Sequence, residues 1–220
     1  MTERILYLIR HGRADYDNDD FAPTPRGPQY DPPLSKEGRD QARVLAGRLL
    51  LAEKPAAVVS SPLRRARETA LVYAEPAGLK VAYDMDLAEA FIGGWENRSF
   101  EETIATDETL LARYRNHDAF WRHAPGAEDL DTFRERVTRG IERALAAHPD
   151  GNVYVFCHGG VVNAYVAPLF GLEQEMFFLP ENTSLNVLSV DGSRRAVRFL
   201  NDARHLTEPN LFADAPGPAA

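Results

Sequence analysis

The sequence predicts an α/β protein, a three-layer α/β/α sandwich with a mostly parallel sheet and an antiparallel edge strand. Three observations lead there. Short strand-like runs recur at 4–9, 56–61, 79–84 and 152–157, and the first, second and fourth are apolar enough to be buried on both faces. Helical patterns separate them, the alternation that builds parallel sheets. The late stretch 184–202 turns at Asp191-Gly192-Ser193 and reads as a hairpin.

Taken in order, "RILYLI" is the first strand. Residues 15–33, "DYDNDDFAPTPRGPQYDPP", are acidic and proline-rich and read as a long loop, the kind that often carries function. A helix follows from Ser35, a good N-cap, with Leu34 as the apolar residue before it. Val44, Leu45, Arg48 and Leu49 hold helical spacing there. "AAVVSS" is the second strand. Pro62 is placed for the first turn of the next helix, which Pro76 and Gly78 close. "LKVAYD" is the third strand, and residues 87–102 form an ordered loop of glycine pairs and aromatics. Residues 99–122 read as two helical pieces. Phe133, Val137, Ile141 and Leu145 recur every four residues and set a helix from Asp129 to Ala147. "NVYVFC" is the fourth strand, with a helix over 161–171 after it.

Composition narrows the function classes. The 220 residues carry a formal charge of −8, which argues against non-specific binding to nucleic acid or to an anionic membrane. Cys157 is the single cysteine, so no internal disulfide is expected. The N-terminus has no signal-peptide core, and no apolar run approaches the roughly 18 residues of a membrane span. A cytoplasmic protein is expected. No linker or repeat divides the chain. One catalytic domain over 1–207 is expected, with a flexible tail over 208–220.

The chemistry is carried by two strands that end alike, "RHG" at 10–12 and "HGG" at 158–160. Ligands of open α/β sheets bind beyond the carboxyl ends of the strands, so both histidines should reach one edge. Gly12 and Gly159 would let backbone approach a ligand, and a helix start after His158 would turn N–H groups toward an anion. "SSPLRRARETA" brings arginines to the same edge. Guanidinium forks match phosphate oxygens, and their charge lowers a neighbouring histidine's pKa, keeping an imidazole neutral and nucleophilic. A phosphoryl group could then pass to histidine, with a carboxylic acid protonating the leaving oxygen.

These residues resemble the histidine phosphatase superfamily, the phosphoglycerate mutase-like family, in ordered motifs spanning roughly residues 4–190. "RHG" is similar to its signature, which implies His11 as the phosphorylated nucleophile with Arg10 beside it. "SSPLRRARETA" implies Arg65 as the phosphate-binding arginine and Arg64 as a variable position. "LAEAFIGGWEN" implies Glu89 as proton donor. "HGG" implies His158 as a phosphate-binding, transition-state-stabilising group. "PGAED" and "ENTSL" resemble a turn before the long helix and an Asn-containing stretch before a late strand. The resemblance implies no metal and no cofactor. Arg13, Asn97 and Asp129 depart from the usual residues. Arg13 would either add charge at the pocket mouth or point to solvent. Asp15, Asp17 and Asp19 begin like a calcium loop, but Asp20 and Arg26 stand where it needs Gly and Glu. His117, His123, His148 and His205 lack metal spacing and read as surface or helix residues.

The expected function is a metal-independent phosphomonoesterase working through phosphorylated His11, with Glu89 as general acid. The alternatives are a cofactor-dependent phosphoglycerate mutase and a non-catalytic phosphate-binding protein. "GGWEN" is similar to the phosphatase-type pattern. The partner expected is a phosphorylated small molecule, or a protein phosphate. The acidic stretch 15–33 suggests monophosphates with an uncharged or apolar leaving group, walled by Phe21, Tyr30, Phe91 and Trp95.

Overall fold

The computed structural model describes residues 4–96, 98, 102–103, 105, 109–116, 118–172, 174 and 176–208. A six-stranded sheet runs in the order β5-β4-β6-β1-β7-β8. Its strands are β1 (Arg4–Arg10), β4 (Ala57–Ser60), β5 (Val81–Tyr83), β6 (Val153–Cys157), β7 (Leu185–Asp191) and β8 (Arg194–Asp202). The first four in spatial order are parallel, while β7 runs antiparallel to β1 and pairs with β8 as the hairpin. The predicted α/β class holds, with an antiparallel edge.

Helices cover both faces of this sheet. Tyr154 and Phe156 of β6 point to one side, into a cluster with Leu45 and Leu49 of α1 (Lys36–Leu50) and Ala70 and Tyr73 of α2 (Arg64–Ala74). Val153, Val155 and Cys157 point to the other side. There they meet Phe133, Val137 and Ile141 on α4 (Leu130–Ala147) and Val161 and Val162 on α5 (Gly159–Val166). Strand side chains alternate faces, so an uninterrupted apolar run is what a strand covered twice requires. The helix starts follow the sequence signals: Ser35 Oγ accepts Gly38 N–H at 3.0 Å, and Asp129 Oδ1 accepts Thr132 N–H at 2.9 Å. Asp129 therefore caps as the usual serine would. The last helix, α6 (Arg204–Thr207), packs on α1.

Three local readings change. Residues 15–33 contain a second, two-stranded sheet, β2 (Phe21–Thr24) against β3 (Gly27–Tyr30). Pro23 and Pro28 face each other in it, tolerated because each strand of a ribbon has an open edge needing no N–H donor. Helix α2 starts at Arg64, with extended Leu63 as its N-cap, so Pro62 lies before the first turn. The helix from 159 ends at Val166, where Pro168 converts the chain to a 3₁₀ turn closed by left-handed Gly171. Of the two pieces expected over 99–122, α3 (Thr109–Arg115) and a 3₁₀ turn at Phe120–His123 are described. Asn97, His117 and the expected tail beyond residue 208 lie outside the described residues. No helix among the described residues is long and apolar enough to cross a membrane.

Candidate active site

Register puts the two histidines side by side. Arg10 pairs with Cys157 in the parallel β1–β6 ladder, so His11 and His158 are the next residue of each strand. Their rings meet edge-to-face at 5.1 Å between centroids. Beyond β4, Ser61 hydrogen-bonds back to β6 through Phe156 O, and α2 then projects Arg65 inward. Glu89 arrives from the segment between β5 and α3.

Hydrogen bonds fix the state of the His11 ring and place the ring of His158. His11 Nδ1 lies 2.7 Å from the Gly12 carbonyl, which can only accept, so Nδ1 carries the proton and Nε2 the lone pair. Arg65 Nε donates to that Nε2 at 3.3 Å. His158 Nε2 lies 2.8 Å from Ser61 Oγ, which also accepts Leu63 N–H. His158 Nδ1 is buried and has no protein partner. Burial first, then the charges of Arg65 and Arg10, hold the His11 pKa well below its ordinary value. For His158 burial again leads, followed by Arg65. Both rings are neutral at pH 7. Burial also lowers the pKa of Arg10, whose Nη1 donates to Pro180 O while its Nε has no partner.

The Glu89 carboxylate sits on the N-terminus of α5. Its Oε2 accepts Gly160 N–H at 3.0 Å and its Oε1 accepts Ala90 N–H at 3.0 Å. The approach is close enough that a Cβ on residue 160 would stand 2.3 Å from Oε1. The group facing this helix start is thus the chain's own Glu89 side chain. Gly12 serves packing: its N–H donates to Thr69 Oγ1 at 3.0 Å, and a Cβ there would meet Gly38 O at 2.6 Å.

Above these groups opens a cavity of about 230 Å³ lined by Arg10, His11, Arg65, Glu89, Tyr16, Gln29, Tyr30, Ala90, Ile92, Glu96 and Arg98. The structure therefore gathers Arg10, His11, Arg65 and Glu89 at the cavity, with His158 fully buried beside His11. Gly12, Gly159 and Arg13 do not line it. Arg13 is exposed and pairs with Glu37 at 3.5 Å. Of the four aromatics expected as a wall, Tyr30 lines the cavity, and Phe21 packs on Tyr30 at 5.8 Å. Phe91 lies against Gly27, and Trp95 joins a small core with Leu110 and Ala124. Two acids of the 15–33 stretch are engaged by Arg64: Asp20 accepts its Nη1 at 2.7 Å, and Asp31 accepts its backbone N–H. Among the described residues, no group of three or more His, Cys, Asp or Glu is arranged to hold a metal ion.

Sequence reasoning missed the supports. Ser61 orients His158. Asn182 Nδ2 and Thr183 N–H both donate to the His11 carbonyl, at 3.0 and 3.2 Å. "ENTSL" was the available signal for these two; Ser61 gave none beyond its place in "SSPL". His205 is in a helix as expected but is fully buried, not at the surface, and bonds Thr183 Oγ1 at 3.0 Å.

Two neutral histidines, the buried Arg65 and the half-buried Arg10 stand at the carboxyl edge of a parallel sheet beside a cleft with one carboxyl group, an arrangement suited to an oxyanion. The histidine phosphatase superfamily (branch 1) model matches residues 6–203, and the chain belongs to that family, as a phosphoric monoester hydrolase of its type. It is 31% identical over 221 residues to a glucosyl-3-phosphoglycerate phosphatase of Mycolicibacterium vanbaalenii, covering 97% of this chain and 92% of that one. A mycobacterial glucosyl-3-phosphoglycerate phosphatase solved with inorganic phosphate superposes with a TM-score of 0.72 at 30% identity, over 92% of this chain and 99% of that one. The α-ribazole phosphatase of Shigella flexneri superposes at 0.71 with 27% identity, over 90% and 96% of the two chains.

Proposed function

We propose that this enzyme hydrolyses small phosphomonoesters without a metal, through a phosphohistidine on His11. One observation carries the reading: the His11 ring is neutral, its proton is fixed on Nδ1 by Gly12 O, and its Nε2 lone pair faces Arg65 in the cavity. In the first step Nε2 attacks phosphorus and the bond to the leaving oxygen breaks. Glu89 gives that oxygen its proton. In the second step water attacks the phosphohistidine, Glu89 takes the water's proton, and inorganic phosphate leaves with His11 restored. Arg65 and Arg10 neutralise the phosphoryl oxygens, and His158 donates through Nδ1–H. Phosphatase names among the relatives support hydrolysis, and the modest cavity supports a small leaving group.

The test is phosphate release from p-nitrophenyl phosphate in EDTA, wild type beside His11→Ala, with trapping of an acid-labile, base-stable phosphoenzyme. Release and trapping by the wild type, both lost in the variant, are expected. Absence of release, with isomerisation of 3-phosphoglycerate in the presence of a bisphosphoglycerate primer, would replace this reading with the mutase.

A further inference from the structure

The segment that carries Glu89 has no regular ladder to satisfy its carbonyls. Buried carbonyls need donors, and here one side chain supplies most of them. Arg136, on α4 and 3% exposed, donates Nη1 to Asp86 O at 2.9 Å and to Ala88 O at 2.6 Å, and Nη2 to Glu89 O at 2.9 Å. Its remaining hydrogen bonds grip Glu128, Nε to Oε1 at 2.6 Å and Nη2 to Oε2 at 2.7 Å. Glu128 in turn accepts Phe91 N–H at 3.2 Å, so the guanidinium and its partner strap both sides of Glu89. Gln29 Nε2 adds a second donor to Glu89 O at 2.9 Å. The strap is anchored in rigid core: Phe133, one turn before Arg136, lies 4.7 Å below its guanidinium carbon and packs on the sheet.

A buried ion pair is a poor source of stability, because desolvation offsets attraction and an apolar pair of similar volume serves as well. Its geometry here does something an apolar pair cannot: it fixes three carbonyls in sequence around the acid. We propose that Arg136, held by Glu128, is a positioning residue for Glu89. It sets the path of residues 86–91 so that the carboxyl faces the phosphoryl site, and thereby governs proton delivery to the leaving oxygen. This rests on Glu89 being the general acid.

The experiment compares p-nitrophenyl phosphate, whose leaving group needs little protonation, with glycerol phosphate, whose alkoxide needs it fully. Glu89→Gln sets the reference and should slow glycerol phosphate about 10²-fold or more while affecting the aryl ester far less. Arg136→Lys keeps the charge but presents a single nitrogen that cannot span three carbonyls. It should slow glycerol phosphate about 10-fold or more and the aryl ester under about 3-fold. Should the lysine variant not fold, Arg136→Met with Glu128→Leu removes both charges at similar volume and should show the same selective loss. In the Glu89→Gln background Arg136→Lys should add little, since the acid it positions is gone. Equal slowing of both esters, or losses that multiply in full, would overturn the positioning role. Equal slowing by Glu89→Gln alone would remove the acid reading, and this role with it.

Discussion

Among the described residues, two places bury a histidine against an arginine, and only one of them opens on the cavity. At the sheet edge, His11 and His158 lie among Arg10 and Arg65. Behind the sheet end, His205 lies between Arg48 and Thr183, held near Asp202 by the Arg48 ion pair at 2.5 Å. Burial leads the pKa depression in both places, and arginine charge adds to it. The difference is in the ring nitrogens. His205 Nδ1 meets an Arg48 N–H, which can only donate, so Nδ1 accepts and Nε2–H is given to Thr183 Oγ1. Both nitrogens are used. At the edge, His158 Nδ1 has no protein partner, and His11 Nε2, met only by Arg65 Nε at 3.3 Å among the described residues, belongs to a residue that lines a cavity. A neutral buried histidine is thus common to support and to chemistry. What separates them is a ring nitrogen left for a ligand.

The comparison is broken most severely at the nucleophile. His11→Ala should lower turnover on the order of 10⁴-fold or more, whereas His205→Ala should leave turnover within about 3-fold and lower the melting temperature. Comparable kinetic losses in the two variants would make His205 part of the reaction. The arginines give the next contrast. Arg65→Lys loses a planar donor fork at the phosphoryl site and should cost about 10²-fold in kcat/KM, while Arg48→Lys should register in denaturation rather than rate.

Hydrogen-bond support should rank third. Ser61→Ala removes the partner of His158 Nε2 and should cost about 10-fold, with a shifted pH–rate profile that loss of packing alone would not produce. The pH dependence of stability sharpens the comparison further. The His205 pKa is depressed to about 4, so the unfolded chain binds the extra proton first on acidification. Its contribution is present above the ordinary value near 6.5 and is lost as pH falls from there toward 4, amounting to ~3 kcal/mol at most. His205→Gln should flatten urea-denaturation midpoints across that interval; an unchanged slope would show that His205 titrates alike in the folded and unfolded chain. The smallest effect belongs to Arg13→Ala. Its exposed ion pair with Glu37 is worth ~0–1 kcal/mol, and its removal should leave kcat/KM within about 2-fold. A larger kinetic loss would bring Arg13 to the cavity mouth after all.

Local signals carried far in this chain. The buried strands announced themselves as unbroken apolar runs, Ser35 and Asp129 announced helix starts, and paired His-Gly strand ends announced a shared edge. The proline-rich ribbon at 21–30 was hidden because proline argues against strands except at open edges, which composition does not reveal. The wall aromatics were half misjudged for a related reason: Phe91 and Trp95 show no sequence difference from Tyr30, and only packing decides which face a cavity. Ser61, Thr183 and Arg136 act on residues far away in the chain, so their roles appear once the sheet has brought positions such as 61 and 158 together.

The β1–β6 pairing described above also sets what the chain must contain before the site can assemble. Positions 11 and 158 meet through the ladder that closes a long stretch of chain, a contact whose loop entropy must be met before it is rewarded. Under the proposed mechanism, a nascent chain still short of β6 has its nucleophile but neither the second histidine nor the helix start that holds Glu89.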